Sequence, residues 1–423
     1  MYNSLKAINQ RAYNLDDALL IGLDEAEQNL ITPRFKCLNE INQEDIHLST
    51  YLCAANNNEL KLSSLGGASG FTQLSKIKAL FESLEKSISF KICNNNLIDD
   101  LYFFSTSTSP STQFLLDKQL MPKLLLQENY QNNNYPWIEL THYQNTTQKI
   151  HYPLGLIYTS IPPLKNFKQD YISELSDNTG LAIGATPDEA IIHGINQWIE
   201  RDAYSLFLLK TVINKTPTPA RLLSKETLPE NIAKIVSAIE KHFNENLIIM
   251  DITSDINIPS FVVSFTKQNM LLQPQGFGAS ISKETALKQA LFESIQYKDR
   301  FNQNAKAYRE ENVAFFSQSP LLLKAMIGDL KCLIDKKLYA EVDWNTISSY
   351  SLHENLTQQI QLMVNLLAKH GANIYTNVLY KSSTGVAITY TLIPELENFS
   401  LIRDAKFLPI KTRGLGVLNE QQL

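Results

Sequence analysis

Apolar residues recur along this chain in two rhythms. Continuous or alternating apolar runs predict strands at 246–251, 260–265, 373–379 and 386–392, and the run 46–52 predicts another. The second rhythm is helical and groups Leu80, Phe81 and Leu84, then Trp198 and Ile199, then Leu291, Phe292 and Ile295. The middle helix has the clearest start. Thr186 can cap it, Pro187 suits its first turn and Glu189 completes a capping box, so 190–209 should be one long helix. Ser282 is the expected cap of the third helix, with Glu284 in its first turn, and the first helix starts near Thr72. The Asn-rich stretches 131–136 and 93–96 are expected as exposed loops. Helices and strands mix without strict alternation, and no Pro/Gly/Ser linker divides them. The expected fold is therefore α+β, with one large interwoven domain of mixed sheets and helices over residues 1–404 and a C-terminal tail over 405–423.

Three of the predicted helices are related. The segment from Ala79 to Glu85 (ALFESLE) returns from Ala290 to Gln296 as ALFESIQ, and a looser copy, GINQWIE, runs from Gly194 to Glu200. Each copy sets two carboxylate or carboxamide side chains three residues apart, on one helix face. Each follows a Gly-containing segment: Gly66 and Gly67, then Gly180 and Gly184, then Gly276 and Gly278. Counting back fifteen residues from Glu82, Gln197 and Glu293 reaches Gly67, Ala182 and Gly278. Glycine at such places permits a tight turn or a close backbone approach. One E-x-x-E pair alone is ordinarily the solvated stripe of an amphipathic helix. Three copies at matched spacing argue for a shared site.

Composition removes several other classes of function. A net charge of −5 and a pI near 5.9 give no electrostatic basis for nucleic acid as the main partner. No run approaches the length of a membrane span, the start shows no signal-peptide pattern, and the cytoplasm is the default location. The four cysteines are dispersed, as are the seven histidines. Neither set suggests a zinc site or a disulfide framework. His193 alone falls beside a motif, where it is expected to be an ordinary polar side chain on a helix.

Carboxylates gathered on several helices repel one another until a cation neutralises them. Magnesium suits hard oxygen ligands and commonly pairs one or two carboxylates with substrate phosphates. Glu82, Glu85, Gln197, Glu200, Glu293 and Gln296 are thus the candidate metal set. Cations flank each motif: Lys86 after Glu85, Arg201 after Glu200, and Lys298 with Arg300 after Gln296. They are placed to reach phosphate oxygens. No G-x-x-x-x-G-K-[ST] occurs, which excludes a P-loop.

These three ordered motifs resemble those of the YcaO-domain family. The matches run from Gly66-Gly67 through Glu82 and Glu85; from Asn178 and Thr179 through Gln197, Glu200, Arg201 and Asp202; and from Gly276 to Ala279 through Glu293 and Gln296. Val342-Asp343-Trp344 and the Ile393–Glu397 segment are also family-like, so the resemblance covers about residues 30–400. It implies ATP and Mg2+ bound between the helices, with Glu200, Arg201 and Glu293 catalytic, and Gly66, Gly67, Asn178, Arg201, Gln296 and Lys298 contacting the nucleotide. It further implies ATP-dependent modification of peptide backbone amides. Cyclodehydration of Cys, Ser or Thr to azolines in a ribosomally made precursor peptide leads, with thioamide formation or a catalytically weakened scaffold subunit as alternatives. Departures from the family pattern are Gln197 for Glu, Lys86 for Arg, Thr179 for Asn, and a C-terminus that is not Pro-rich. Few residues precede the first motif, so leader-peptide binding is expected from a separate partner subunit, with a dehydrogenase as a further possible partner and a homodimer possible. No nucleic-acid or membrane partner is expected.

Overall fold

The computed structural model describes residues 10–43, 45–57, 61–94, 101–121, 134–158, 176–267, 274–301, 303–353, 355–406 and 408–419. Three sheets organise these residues. The first is an antiparallel ribbon of β1 (Ile31–Gln43), β2 (Ile46–Asn57) and β3 (Leu62–Phe71). The second, in spatial order, is β11 (Gln275–Ala279), β10 (Ser260–Phe265), β9 (Leu247–Asp251), β8 (Ala220–Leu223) and β12 (Tyr339–Val342). Its β8–β12 pair is parallel, while the other pairs are antiparallel. The third runs β4 (Tyr102–Phe104), β5 (Tyr135–His142), β13 (Tyr375–Lys381), β14 (Ala387–Leu392) and β7 (Leu181–Gly184), with β6 (Lys149–Pro153) paired to β5.

The main helices are α1 (Leu15–Gln28), α2 (Thr72–Asn94), α3 (Pro187–Leu208), α4 (Glu230–Phe243), α5 (Lys283–Arg300), α6 (Gln303–Phe316), α7 (Leu356–Ala368) and α8 (Thr412–Asn419). The fold is α+β, as expected. All five strand predictions coincide with observed strands: β9, β10, β13, β14 and β2.

The continuous apolar character of β9 and β10 has a direct cause. Leu247, Ile249, Phe261 and Val263 pack into one core with α4 and α5. Ile248, Met250 and Val262 point the opposite way, into a second core with the C-terminal half of α3. A sheet buried on both faces cannot alternate apolar with polar. The third and largest core joins α2, the first half of α3 and the six-stranded sheet.

Helix α3 starts as the sequence indicates, with Thr186 accepting a hydrogen bond from the Glu189 amide at 3.3 Å and Pro187 in the first turn. The capping box is only half made. The Glu189 carboxylate turns away to Arg11 and to the Ala12 amide. Ser282 caps α5 through the Thr285 amide. The expected loops are shorter than drawn from the sequence: Cys93 and Asn94 end α2, Tyr135 and Pro136 open β5, and 95–96 and 131–133 lie outside the described residues.

Helix α2 lies on β3 and β2, and α5 lies on β11 and β10, so two of the motif helices have equivalent seats on two different sheets. Leu80, Leu84, Leu287 and Leu291 are fully buried on these helices, each contributing on the order of 1.5–3 kcal/mol. The two units meet where Phe292 of α5 packs edge-on against Phe71 of β3, with ring centroids 5.6 Å apart. Helix α3 is seated on β14 and β7.

Candidate active site

One hydrogen bond is made three times. The first carboxylate or carboxamide of each motif accepts from a backbone amide of the strand before its helix. Gly67 donates to Glu82 Oε2 at 2.9 Å, Phe277 to Glu293 Oε2 at 2.6 Å, and Gly180, just before β7, to Gln197 Oε1 at 2.7 Å. Glycine allows the close seating this bond needs. A Cβ on Gly66 would collide with the Ala79 carbonyl and the Ser83 amide of α2, and one on Gly276 with the matching Ala290 carbonyl and Ser294 amide of α5. Gly66 is therefore the counterpart of Gly276, and Gly67 that of Phe277. The fifteen-residue match of Gly67 to Gly278 and Ala182 is corrected by these contacts. The true offsets are 15, 17 and 16 residues, because the connections from strand to helix differ in length.

The second residue of each motif lies one turn on. Glu85 reaches across to β7 and accepts from the Ile183 amide at 3.0 Å, tying the first unit to the middle one. Burial and the neighbouring Glu82 push Glu85 up to about 8. Glu200 of α3 and Glu293 of α5 face each other electrostatically. Burial and the Glu293 charge push Glu200 up to about 8. Burial also raises Glu293, against the Phe277 amide and the charges of Arg403, Arg201 and Lys78. Gln296 follows Glu293 by one turn and is half-buried.

Arg201 donates from Nε to Thr179 Oγ1 at 3.3 Å, and Thr179 is itself held by Asp177. Burial works against the Arg201 charge, but Asp177, Asp404, Glu200 and Glu293 outweigh it and raise its pKa. Asn178 is exposed between Asp177 and Thr179. Directly after Arg201, the buried Asp202 accepts from Arg413 Nε at 2.7 Å and from the Glu397 amide, which anchors the C-terminal segment to α3.

Two flanking lysines are placed elsewhere than expected. Lys86 is an exposed partner of Glu82 at 2.6 Å and also donates to the Leu65 carbonyl. Lys298 points away from the cleft, paired with Glu245 and lying over the rings of Phe243 and Phe265. Its ammonium is used in packing α5 against the second sheet. Arg300 is the cation that lies over Gly67.

A further layer lies one turn before each motif: Lys78 and Gln289, which the sequence reading missed, and His193, which it took as an ordinary polar side chain on a helix. Burial and the nearby Arg11 lower Lys78 to about 8, partly offset by Glu293. His193 reaches the open space of the cleft but is ringed by protein. Burial, Arg11 and Lys78 push it down to about 3, so it is a neutral imidazole. Its Nε2 lies 3.5 Å from Gln197 Nε2. Extending each repeat four residues upstream would have found Lys78 and Gln289 and set His193 in line with them.

Among the described residues, no three His, Cys, Asp or Glu side chains stand close enough to hold a metal ion by themselves. The carboxylates come in pairs, Glu82 with Glu85 and Glu200 with Glu293. Paired acids beside carboxamides and a guanidinium offer hard oxygen donors of the kind a magnesium–polyphosphate complex can use together with its own oxygens.

Three strand–helix units surround one acidic cleft, and the sequence holds no P-loop. The chain belongs to the YcaO family, whose model, described as YcaO cyclodehydratase, ATP- and Mg2+-binding, matches residues 68–397. ATP and Mg2+ are the cofactors that this membership assigns. In fold the chain is similar to YcaO from Methanopyrus kandleri bound with AMPPCP and Mg2+ (TM-score 0.66, 13% identity, 97% of this chain and 98% of that one). It is also similar to a heterocyclase in complex with substrate and cofactor (TM-score 0.61, 15% identity, 92% and 53%). A chain of the E. coli microcin synthetase complex with pro-MccB17 bound gives a TM-score of 0.56 at 14% identity, covering 86% and 88%. In sequence, 95 residues are 33% identical to an uncharacterized protein in the tfuA 3' region of Rhizobium leguminosarum bv. trifolii, 22% of this chain and 21% of that protein. The chain thus spans about half of the heterocyclase, and its match to the rhizobial relative about a fifth of that protein. Among the described residues no helix is long and apolar enough to cross a membrane.

Proposed function

We propose that this chain is an ATP-dependent enzyme that modifies peptide backbone amides, and that its reaction is cyclodehydration of Cys, Ser or Thr to azolines in a ribosomally made precursor. The observation that carries this reading is the thrice-repeated bond from strand amide to motif side chain, which holds Glu82, Gln197 and Glu293 around one cleft with Glu85, Glu200 and Arg201. ATP supplies the phosphoryl group that turns the amide-derived oxygen, a very poor leaving group, into a good one.

The chain's own contribution is positioning and charge. Glu82, Glu85, Gln197, Glu200, Glu293 and Gln296 offer oxygens to Mg2+. Arg201, fixed through Thr179, faces the phosphates, and Gly66, Gly67 and Asn178 let backbone come near them. Gln197 keeps the acceptor role of the usual Glu toward the Gly180 amide, so that departure leaves the cleft built. This supports an enzyme over a weakened scaffold. Residues 1–404 form the catalytic domain in this reading, and the tail packs on it through Arg413.

The partners in this reading are the precursor peptide, a separate leader-binding subunit and a dehydrogenase. Similarity to a chain of a microcin synthetase complex supports a multisubunit assembly. Incubating the chain with candidate partners, ATP, Mg2+ and a Cys/Ser/Thr-rich precursor, read by mass spectrometry, tests the proposal. Loss of one water per ring is expected. Exchange of oxygen for sulfur would replace the azoline by a thioamide, and an unchanged peptide with no ATP bound would leave a scaffold.

A further inference from the structure

Trp198 stands two residues before Glu200, and so on nearly the opposite face of α3. There it walls a second pocket of about 30 Å3 that shares none of the candidate metal or nucleotide residues. Tyr152 of β6 and Tyr390 of β14 form two more walls, and Leu408 and Pro409 of the C-terminal segment complete it. The walls are fixed before anything binds. The Trp198 indole donates to the Thr391 carbonyl at 2.7 Å, and the two tyrosine rings stack with centroids 5.7 Å apart.

Two side chains lining this pocket lack partners. Asn398 is 8% exposed, and its Oδ1 is buried with no hydrogen bond. The Oε1 of Gln119 is likewise buried and unpartnered. A buried acceptor left unpaired destabilises a fold, and native proteins keep few of them. A peptide backbone supplies what is missing, because a carboxamide can accept from one amide N–H and donate to a neighbouring carbonyl. Size sets the second limit. A space of about 30 Å3 holds roughly two water-sized groups, enough for the side chain of Ala, Ser or Cys but not of Val or Phe. Position sets the third. Asp177 also lines the pocket and accepts from the Thr179 amide and hydroxyl at 3.1 and 2.8 Å, and that hydroxyl receives Arg201 Nε at 3.3 Å.

We propose that this pocket holds the side chain of the residue preceding the reacting Cys, Ser or Thr of the precursor peptide, while Asn398 and Gln119 bind the peptide backbone beside it. The assignment rests on the reading of the chain as an ATP-dependent amide-modifying enzyme. In that reaction the oxygen to be phosphorylated is the carbonyl oxygen of the preceding residue, which must lie on the Arg201 side. The reacting side chain folds back onto that carbonyl carbon and is not free to enter a pocket. The side chain of the preceding residue is free, and the pocket begins two hydrogen bonds from Arg201, through Thr179 and Asp177. Seating it there fixes the carbonyl against the phosphates. The pocket accepts Gly, Ala, Ser or Cys at that position and excludes β-branched and aromatic residues.

A binding assay and a turnover assay keep the site separable from the reaction. The full chain with Mg2+–AMPPCP is titrated, by fluorescence anisotropy, with labelled core peptides whose reacting residue is Ala and whose preceding residue is Gly, Ala, Val or Phe. The Gly and Ala peptides should bind about tenfold or more tighter than the Val and Phe peptides, the usual effect of an excess methylene in a closed pocket. Leu408→Ala widens the pocket and should narrow the Ala-to-Val ratio to about threefold or less. Asn398→Leu removes an unpaired acceptor. It should weaken every peptide by about fivefold, with Mg2+–AMPPCP affinity within about twofold of wild type and an unfolding temperature no lower. A purely structural Asn398 would instead lower the unfolding temperature and leave peptide affinity unchanged, which overturns its role; Leu408→Ala serves if the Asn398 variant does not fold. Ring formation with partner subunits present, read by mass spectrometry on competing peptides, should follow the same order in kcat/KM. Selective binding without ring formation keeps the pocket and refutes the reaction. Rings formed at equal rates whatever residue precedes, equal affinities, or no peptide binding at all overturn the pocket, which then holds water only.

Discussion

Replacing Glu200 by Gln should stabilise the protein without nucleotide while removing its activity. The Glu200 carboxyl is pushed by burial and by Glu293 from 4.5 to about 8. An acid whose folded pKa lies above its unfolded value binds more protons when folded. Stability is therefore full below pH ~4.5, falls through the window up to about 8, and levels off above it. At ~1.4 kcal/mol per pH unit the ceiling on that loss is ~5 kcal/mol. Glu200 is half-buried in a wet cleft and shares its titration with Glu293, so solvent screening leaves on the order of 1–2 kcal/mol for the variant to recover. With ~2.1 cal/mol/K of unfolding entropy per residue, a chain this long gains roughly 1 °C per kcal/mol. Thermal unfolding from pH 5 to 9 should show the two proteins equal near pH 5 and Glu200→Gln higher by about 1–2 °C at pH 8.5. Adding Mg2+ and ATP should raise the wild type above the variant. A variant that melts lower at every pH, or that keeps wild-type ATP turnover, would refute the reasoning.

Three further predictions follow from the same geometry. Gly66→Ala drives a methyl group into the α2 backbone and should cost about 3 kcal/mol or more in urea unfolding; an unchanged midpoint would mean that the strand and helix are not seated as described. Arg413→Ala strands the buried Asp202 carboxylate and should cost on the order of 3–5 kcal/mol, with most of it restored in the Arg413→Ala, Asp202→Asn double variant; additive losses would show that the pair is not coupled. Gln197→Glu keeps the acceptor for the Gly180 amide and adds a charge, so the Mg2+ concentration for half-maximal ATP turnover should fall by a few-fold, whereas a rise would remove residue 197 from the metal set.

The repeat was legible in the sequence because helix faces follow a fixed period. Once ALFESLE and ALFESIQ are aligned, Glu82 and Glu293 must occupy matching positions on α2 and α5. The strand side was not legible to the same depth. Which backbone amide meets the carboxylate depends on the length of the connection, so counting from a glycine missed Phe277 and Gly180. Lys298 shows a second limit. Its distance in sequence from Gln296 is short, but on a helix two residues turn a side chain to nearly the opposite face, and Glu245 lies there. Arg403 carries no local motif at all. The turn 399–404 brings it to the cleft only through tertiary packing.

The claim that the cleft uses ATP to phosphorylate a backbone amide oxygen has one direct measurement. A precursor peptide labelled with 18O at the carbonyl before each reactive Cys, Ser or Thr is incubated with the chain, its partners, ATP and Mg2+, and the released phosphate is examined by mass spectrometry. The account predicts one labelled oxygen in phosphate for each ring formed. Rings that form while the label leaves in water, with unlabelled phosphate, would contradict it.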